Sequence, residues 1–186
     1  MARLVIPRCN AREKEIFERH NIHLVEEMEI AQFESLISHF LGTHNVLHLA
    51  TSKQDVPRCT PLEYWNIGMD VFIVSEGGGK IPNLKANPRV CYSISDPFTP
   101  QEDFFGCVGL QVWGLASVFK KNDNPERFRE LFGHSHYIQD PEGMRRQGID
   151  IASTPINFNV ISIEPTKIRY LNIRDGYRNV MWKCDQ

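Results

Sequence analysis

The sequence predicts a mainly β protein with flanking helices, whose antiparallel strands curve into a closed or half-closed barrel. Short segments rich in β-branched and aromatic residues recur along the chain and are joined by short turns. One long β-rich segment, residues 107–119, is interrupted by Gly109 and Gly114, where a strand could bend or another group could approach closely. No internal repeat, low-complexity tract or linker divides the chain.

We therefore expect a single domain of the half-closed barrel type over residues 1–186. This length is sufficient for a substantial hydrophobic core. Its parts are an N-terminal arm and helix, a barrel core, and a variable segment with C-terminal strands, at residues 1–25, 26–133 and 134–186.

The composition argues against several classes of protein. The net charge is −2, which gives no bulk electrostatic reason to expect a nucleic acid or an anionic membrane as partner. The five cysteines form no Cys-x-x-Cys pair, so we expect free, mostly buried thiols rather than a disulfide framework or a zinc site. The first residues lack the apolar core of a signal peptide, and no run of about 18 apolar residues occurs. These features predict a soluble cytoplasmic protein.

Helices are predicted at three places. Residues 11–20 are polar and compatible with a helix, and residues 31–41 carry an apolar face that includes Phe33 and Ile37. Asn124 is a good N-cap for a helix that runs to about residue 133. The first ten residues show no clear period and are interpreted as an arm.

Strands account for most of the remaining pattern. The segments 45–51, 58–65 and 70–75 are joined by short turns and predict an antiparallel meander. Pro61 indicates an edge or a bulge, and His48 is expected to be a satisfied core histidine. The other predicted strands are residues 89–95, 107–119, 157–163, 167–173 and a last short strand through 182. The segments 96–106 and 134–156 show no regular pattern.

Residues 75–96, SEGGGKIPNLKANPRVCYSISD, form the most informative stretch. Three glycines at positions 77–79 run into Lys80 and a short helical pattern, which Asn87-Pro88 ends. Glycines let main-chain N–H groups approach an anion closely, and Lys80 would add a full positive charge. These residues alone leave two interpretations open: a phosphate cradle between two strands, or a flexible hairpin loop with a solvated lysine.

Four pieces of sequence follow one another in a characteristic order. They are a helix followed by NVLHLAT, then VPRCTPLEYW followed by DVFIVS, then GGGKIPNLKANPRVCYSI, and finally LQVWGLASV followed by PERFRELF. Their order and spacing resemble the pyridoxamine 5′-phosphate oxidase-like, FMN-binding split-barrel family over roughly residues 33–133. The resemblance implies a six-stranded antiparallel split β-barrel and a homodimer that holds FMN at the subunit interface.

The resemblance implies that Arg58 and Lys80 are cationic ligands of the FMN phosphate. A phosphate carries close to two negative charges, which Arg can bind bidentately and Lys as a point charge. Without the resemblance, both would be interpreted as solvated charges, Arg58 on an edge strand and Lys80 in a loop.

The resemblance also implies contacts along the rest of the flavin. These fall to Cys59, Thr60 and Leu62 on the strand beside the flavin, to Val74 and Ser75 near the ribityl-phosphate, and to Gln111 and Trp113 on the long strand. Simpler interpretations stay open for some of them. Cys59 and Cys91 would be small buried thiols, Thr60 a β-branched strand residue, and Trp113 a core or interface residue.

The chain departs from the family pattern in two places. Many members have Ser-Arg-Lys before the short helix, whereas this chain has Gly-Gly-Lys, so one phosphate cation is missing and Gly79 leaves more room. A nitroimidazole-reductase-like branch resembles GGGKIPNL but often carries a histidine at this position. The C-terminal YRNVMWKCDQ does not match the Arg-rich segment of authentic pyridoxamine-phosphate oxidases. We therefore do not expect vitamin B6 phosphate as the substrate.

The leading hypothesis is an FMN-binding oxidoreductase that passes electrons from NADH or NADPH to an unidentified small-molecule acceptor. Because the flavin itself carries the redox chemistry, the lack of an obvious catalytic pair does not argue against an enzyme. The second hypothesis is a non-catalytic flavin- or haem-binding protein, motivated by the missing cation and the seven histidines. A structural dimer with a decayed site is the third. No metal site is expected, because His134 and His136 lack further ligands at a known spacing.

Overall fold

The computed structural model describes residues 1–139, 142–143, 147–148 and 153–184. Its helices are α1 (Ala11–Arg19), α2 (Ile30–Gly42), α3 (Lys80–Ala86), α4 (Pro125–Phe132) and α5 (His136–Gln139). Its strands are β1 (Ala2–Val5), β2 (Val46–Lys53), β3 (Val56–Glu63), β4 (Trp65–Ile67), β5 (Asp70–Ser75), β6 (Arg89–Ser95), β7 (Val108–Lys120), β8 (Asn159–Asn172) and β9 (Tyr177–Cys184). Part of the segment 134–156, for which the sequence shows no pattern, lies outside the described residues.

The nine described strands form one antiparallel sheet. Seven of them follow the order β1-β9-β8-β7-β6-β2-β3, while β5 pairs with β8 beside this path and β4 pairs with β5. Among the described residues, β1 and β3 each have an unpaired edge, so the curved sheet does not close. This mainly β, unclosed architecture confirms the predicted split barrel, and the sheet extends beyond its six expected strands. Pro61 lies in the edge strand β3, as predicted.

The sheet has a buried inner face and a more exposed outer face. Leu47, Leu49 and Val112 are almost wholly buried on the inner face, where they pack with Phe33 and Ile37 of α2. Their strand neighbours point the opposite way, as expected for strands whose side chains alternate between the two faces. His48 is exposed on the outer face, so its prediction as a core histidine was wrong.

The predicted three-strand meander is also wrong. Among the described strands, β3 pairs only with β2, whereas β5 pairs with β8, for example Val74 with Val160. Tyr64 explains the change of direction, because it is buried and its hydroxyl donates to the carbonyl of Leu41 at 2.8 Å. After Tyr64 the chain continues into β4 and β5, where Trp65 and Phe72 pack in a second core beside α4.

Two predicted strands near Pro165 prove to be one continuous strand, β8. The strand passes the proline at a register shift opposite Trp113 and Gly114 of β7. Thr166 supports this irregularity by donating its hydroxyl to the carbonyl of Trp113 at 3.2 Å. A β-carbon on Gly114 would lie 2.5 Å from the carbonyl oxygen of Glu164, so the close approach requires glycine.

The N-terminal arm and the thiols also differ from expectation. Residues of the arm form β1, which pairs with β9 and directs Leu4 towards the core. The cysteines are free, but Cys59 is exposed and the other four are half-buried, so the expectation of mostly buried thiols was wrong. None of the helices in the described part of the chain has the length and apolarity needed to cross a bilayer.

Candidate functional site: a cationic glycine loop

Arg58 and Lys80 converge on the loop between β5 and α3. The Lys80 ammonium donates to the carbonyl of Gly77 at 2.7 Å. The Arg58 guanidinium lies against Gly79, where a β-carbon would stand 3.1 Å from Nη1. Gly77 and Gly78 have φ angles of 154° and 91°, which L side chains rarely adopt. The glycines therefore let the loop fold back beneath the two cations.

The charges in this loop are not balanced by the described residues. Burial, and then the positive charge of Arg58, lowers the pKa of Lys80 below its ordinary value. Neither cation forms an ion pair within the described part of the chain. Over the same residues, the main-chain N–H groups of Gly78 and Gly79 have no acceptor. Two like charges and free N–H donors in one loop make a site that an anion would stabilise.

Buried polar residues hold this loop in place. Ser75 accepts the N–H of Gly77 at 3.2 Å, which shapes the start of the loop. Asn159 donates to the carbonyl of Ser75 at 3.3 Å and ties the loop to β8. On the other side, Asn83 of α3 donates to the buried hydroxyl of Thr51, which is paired in register with Arg58. Thr51, Asn83 and Asn159 are site-supporting residues that the sequence analysis did not identify.

The predicted flavin contacts on β3 and β5 do not all lie in the same surroundings in the structure. Thr60 and Leu62 are paired with Leu49 and Leu47 and so share the inner face of the sheet, whereas Cys59 is exposed on the outer face. Val74 packs against the second core. Ser75 contacts the glycine loop through hydrogen bonds with Gly77.

Gln111 and Trp113 lie on the outer face of β7. The Gln111 amide donates weakly to the thiol of Cys91 at 3.8 Å, and the ammonium of Lys167 lies 3.5 Å from the centre of the Trp113 ring. Within one chain, these residues are therefore not brought together with the inner-face residues of β3. Their contact with FMN stays a prediction.

A second concave site lies beyond the end of β3, and we call it the histidine cleft. It has a volume of about 380 Å³ and is lined by Gly42, Thr43, His44, Asn45, Tyr64, Trp65, Asn66, His134 and His136. At its rim, His136 Nε2 lies 2.9 Å from Glu63 Oε1, and the Tyr137 hydroxyl donates to the other oxygen of Glu63. Burial, and then the hydrogen bond to Glu63, raises the pKa of Tyr137.

The sequence analysis considered His134 and His136 only as possible metal or haem ligands, and it expected no metal site. Within the described residues, no group of three or more His, Cys, Asp or Glu side chains is placed to hold a metal ion. The partner of His136 is Glu63, which is 73 positions away and directly follows Leu62 in β3. The position of Glu63 directly after Leu62, a predicted flavin contact, was the only sequence signal that could have pointed to this pair.

The unclosed antiparallel barrel defines a split-barrel protein, and Arg58 and Lys80 give it a cationic glycine loop. The family model described as pyridoxamine 5′-phosphate oxidase matches residues 33–172, which is most of the chain. The protein belongs to this family. No curated protein matches the chain in sequence.

Solved structures with a similar fold belong to proteins of different kinds. A candidate pyridoxamine 5′-phosphate oxidase from Listeria innocua has a TM-score of 0.55 and 26% identity, covering 75% of this chain and 98% of its own. An FAD-binding protein from Mesorhizobium loti has a TM-score of 0.50 and 18% identity, covering 85% and 96%. The haem storage protein HutZ from Vibrio cholerae has a TM-score of 0.56 and 16% identity, covering 80% and 99%. The last two likenesses show the fold alone.

Proposed function

We propose that the protein is a homodimeric FMN-binding oxidoreductase, which passes electrons from NADH or NADPH to a small-molecule acceptor. The observation that carries the proposal is the convergence of Arg58 and Lys80 on a glycine loop without a carboxylate partner among the described residues. A phosphate with close to two negative charges relieves the repulsion between these cations and accepts hydrogen bonds from both. The chemistry of the loop therefore fits the phosphate end of FMN.

In this proposal, β3 orients the rest of the cofactor. Arg58 and Lys80 hold the phosphate, and Cys59, Thr60 and Leu62 provide the strand beside which the flavin lies. When bound, FMN would supply hydride and electron transfer, and the protein supplies orientation and exclusion of water. The free N–H groups of Gly78 and Gly79 contribute further donors to the phosphate.

The distribution of the predicted contacts over two faces of the sheet supports the proposed homodimer. Gln111 and Trp113 are on the outer face of the sheet, while Thr60 and Leu62 are on the inner face. A second copy that presents its own outer face to the Arg58 and Lys80 loop of the first copy would bring its Gln111 to the flavin held there. The family resemblance supports this arrangement, in which neither subunit alone provides the whole site.

An absorbance spectrum of the freshly purified protein tests the proposal, followed by addition of FMN and then of NADPH under nitrogen. The proposal predicts flavin absorbance that is retained or taken up and that bleaches when NADPH is added. A protein that takes up no flavin would contradict it. Flavin that binds but that neither NADH nor NADPH reduces would contradict the oxidoreductase part and leave a flavin-binding protein.

Haem binding is the second candidate function, and the observation in its favour is that His134 and His136 line one cleft. Histidine is a common axial ligand of haem iron. Addition of hemin to the cofactor-free protein would then give a Soret band that is lost in the variant with His134→Ala and His136→Ala. A Soret band unchanged in this variant would place haem elsewhere, and no band would exclude this function.

A further inference from the structure

We propose that the histidine cleft receives the electron acceptor, a small planar carbonyl compound of the quinone class, and that His136 gives it a proton. This inference rests on the proposed flavin function, because the electrons come from the reduced cofactor. The cleft contains the required parts in one place: an imidazole fixed by a carboxylate, two rigid aromatic lining residues and an opening at the end of β3.

The position of the cleft along β3 brings it to the far end of the cofactor. Arg58, which binds the phosphate, and Glu63 are separated by five strand positions, or about 17 Å at the usual rise of an extended chain. An FMN molecule laid along β3 from the phosphate loop spans a comparable distance. Its ring end therefore reaches the region of Glu63, and Tyr64 and Trp65, the next residues of the chain, line the cleft.

Glu63 fixes His136 in a geometry suited to proton transfer. The carboxylate binds Nε2 at 2.9 Å and is itself held by the Tyr137 hydroxyl. Nδ1 of His136 has no partner within the described residues, and the ring lines the cleft. A carboxylate that holds one ring nitrogen orients the imidazole and leaves the other nitrogen available to exchange a proton with a ligand.

The lining of the cleft selects the class of ligand. Its described lining contains Asn45, Asn66 and three histidines but neither lysine nor arginine, so the described residues provide no permanent charge for binding a phosphate there. His44 is already engaged by the carboxylate of Asp96 at 2.6 Å and the carbonyl of Phe40 at 2.7 Å. Tyr64 and Trp65 line the cleft but are only 1% and 6% exposed, so they provide a rigid, mostly apolar base for a flat ring, and the volume of about 380 Å³ limits the ligand to one or two rings.

The reaction balances without a further reagent. The quinone gains a hydride equivalent from the cofactor that NADH or NADPH has reduced, and one of its carbonyl oxygens gains a proton from His136. The hydride equivalent, two electrons with one proton, would leave a hydroquinone anion that is protonated on one oxygen, and the proton from His136 on the other oxygen would complete the hydroquinone. Solvent then returns a proton to His136, whose side chain is 32% exposed.

Duroquinone is a suitable probe, because its four methyl groups prevent it from alkylating the exposed thiol of Cys59. Stopped-flow absorbance would follow reoxidation of the reduced holoprotein by duroquinone and, separately, by ferricyanide, which takes single electrons and no proton. We expect His136→Asn to slow the quinone reaction on the order of 100-fold and to leave the ferricyanide reaction unchanged. His39→Asn, at an exposed position of α2, is the matched control and should alter neither rate.

A second readout does not depend on flavin turnover. In cofactor-free protein, duroquinone should shift the NMR resonances of the His136 ring and leave those of His39 in place. An unshifted His136 ring, or equal slowing of both oxidants in His136→Asn, would overturn the assignment. If the protein takes up no FMN, the proposed function fails and the acceptor role fails with it. The NMR measurement on the cofactor-free protein still decides whether the cleft binds the quinone.

Discussion

The guanidinium of Arg58 occupies the space beside Gly79 where a side chain would otherwise begin, since a β-carbon there would lie 3.1 Å from Nη1. Many members of the family resembled by this chain carry a second phosphate cation at this position. In this protein Gly79 has no side chain to carry that charge, and the guanidinium of Arg58 lies in the space beside it. The loop therefore concentrates its positive charge in Arg58 and Lys80 alone among the described residues of the loop region.

Gly79→Ala should weaken FMN binding and leave the fold intact. Gly79 has φ −60° and ψ −18°, which alanine adopts readily, so we expect the free energy of unfolding to change by no more than about 0.5 kcal/mol. The new methyl group would push the guanidinium away by a few tenths of an ångström, and affinity for FMN should fall up to about tenfold. Urea denaturation and fluorescence titration measure the two effects. Equal weakening of riboflavin binding would contradict a phosphate-specific cause.

Lys80→Gln should not destabilise the ligand-free protein at neutral pH. The pKa of Lys80 is lowered by burial and by Arg58, so the protonated amine costs free energy in the folded state. This cost is present below the lowered pKa and disappears as the pH rises through it towards the ordinary lysine value of 10.5. The difference in the free energy of unfolding should therefore favour the variant over the wild type most near pH 7, and this difference should shrink towards pH 10.

Urea denaturation of both proteins in phosphate-free buffer measures this difference, and the comparison cancels other titrating groups. Added phosphate should reverse the order, because it stabilises only the protein that retains both cations. A variant that is clearly less stable than wild type at pH 7 without phosphate would contradict the electrostatic account of the loop.

Gly176→Ala should be strongly destabilising. Gly176 has a φ angle of 88°, and a β-carbon there would overlap the carbonyl oxygen of His23 in the segment that leads to α2. We expect a loss of about 2–4 kcal/mol in the free energy of unfolding. Gly68→Ala is the matched control, because Gly68 also has positive φ, 59°, but no neighbour within 4 Å of the added methyl group. It should cost only about 1 kcal/mol, and similar losses in the two variants would contradict the steric explanation.

Trp113→Asp should disrupt the proposed homodimer and, with it, flavin binding. The substitution places a charge in the outer face of the sheet, where a partner subunit would have to desolvate it. Phe104→Asp is the control, because Phe104 is 78% exposed in the insertion after β6. Light scattering after size exclusion should give a monomer for the first variant and a dimer for the second. A wild-type protein that binds FMN as a monomer would exclude the shared site.

The sequence could predict local features because they depend on neighbouring residues. The alternation of Leu47, His48 and Leu49 is enough to identify β2 and its buried face, although not that the opposite face is exposed. The pairing of Val74 with Val160 was not predictable, because it joins distant segments and depends on the turn at Tyr64. The same holds for Glu63 and His136 at the histidine cleft.

Arg58 and Lys80 were identified by resemblance to the family. The structure adds that both side chains lie at the same loop, where their like charges repel one another. Spacing alone could not reveal that Arg58 lies against Gly79 or that Asn159 anchors Ser75 from β8. Such contacts depend on the register of whole strands, which short-range patterns do not determine.

A comparison of FMN and riboflavin binding tests the central claim most directly, because the two ligands differ only in the phosphate. Two charge-assisted contacts of about 1.5–3 kcal/mol each predict that FMN binds at least about 100-fold more tightly than riboflavin. The variant with Arg58→Ala and Lys80→Ala should lose this difference and keep its affinity for riboflavin. Equal affinity of the wild-type protein for the two ligands would contradict the assignment of the glycine loop as a phosphate site.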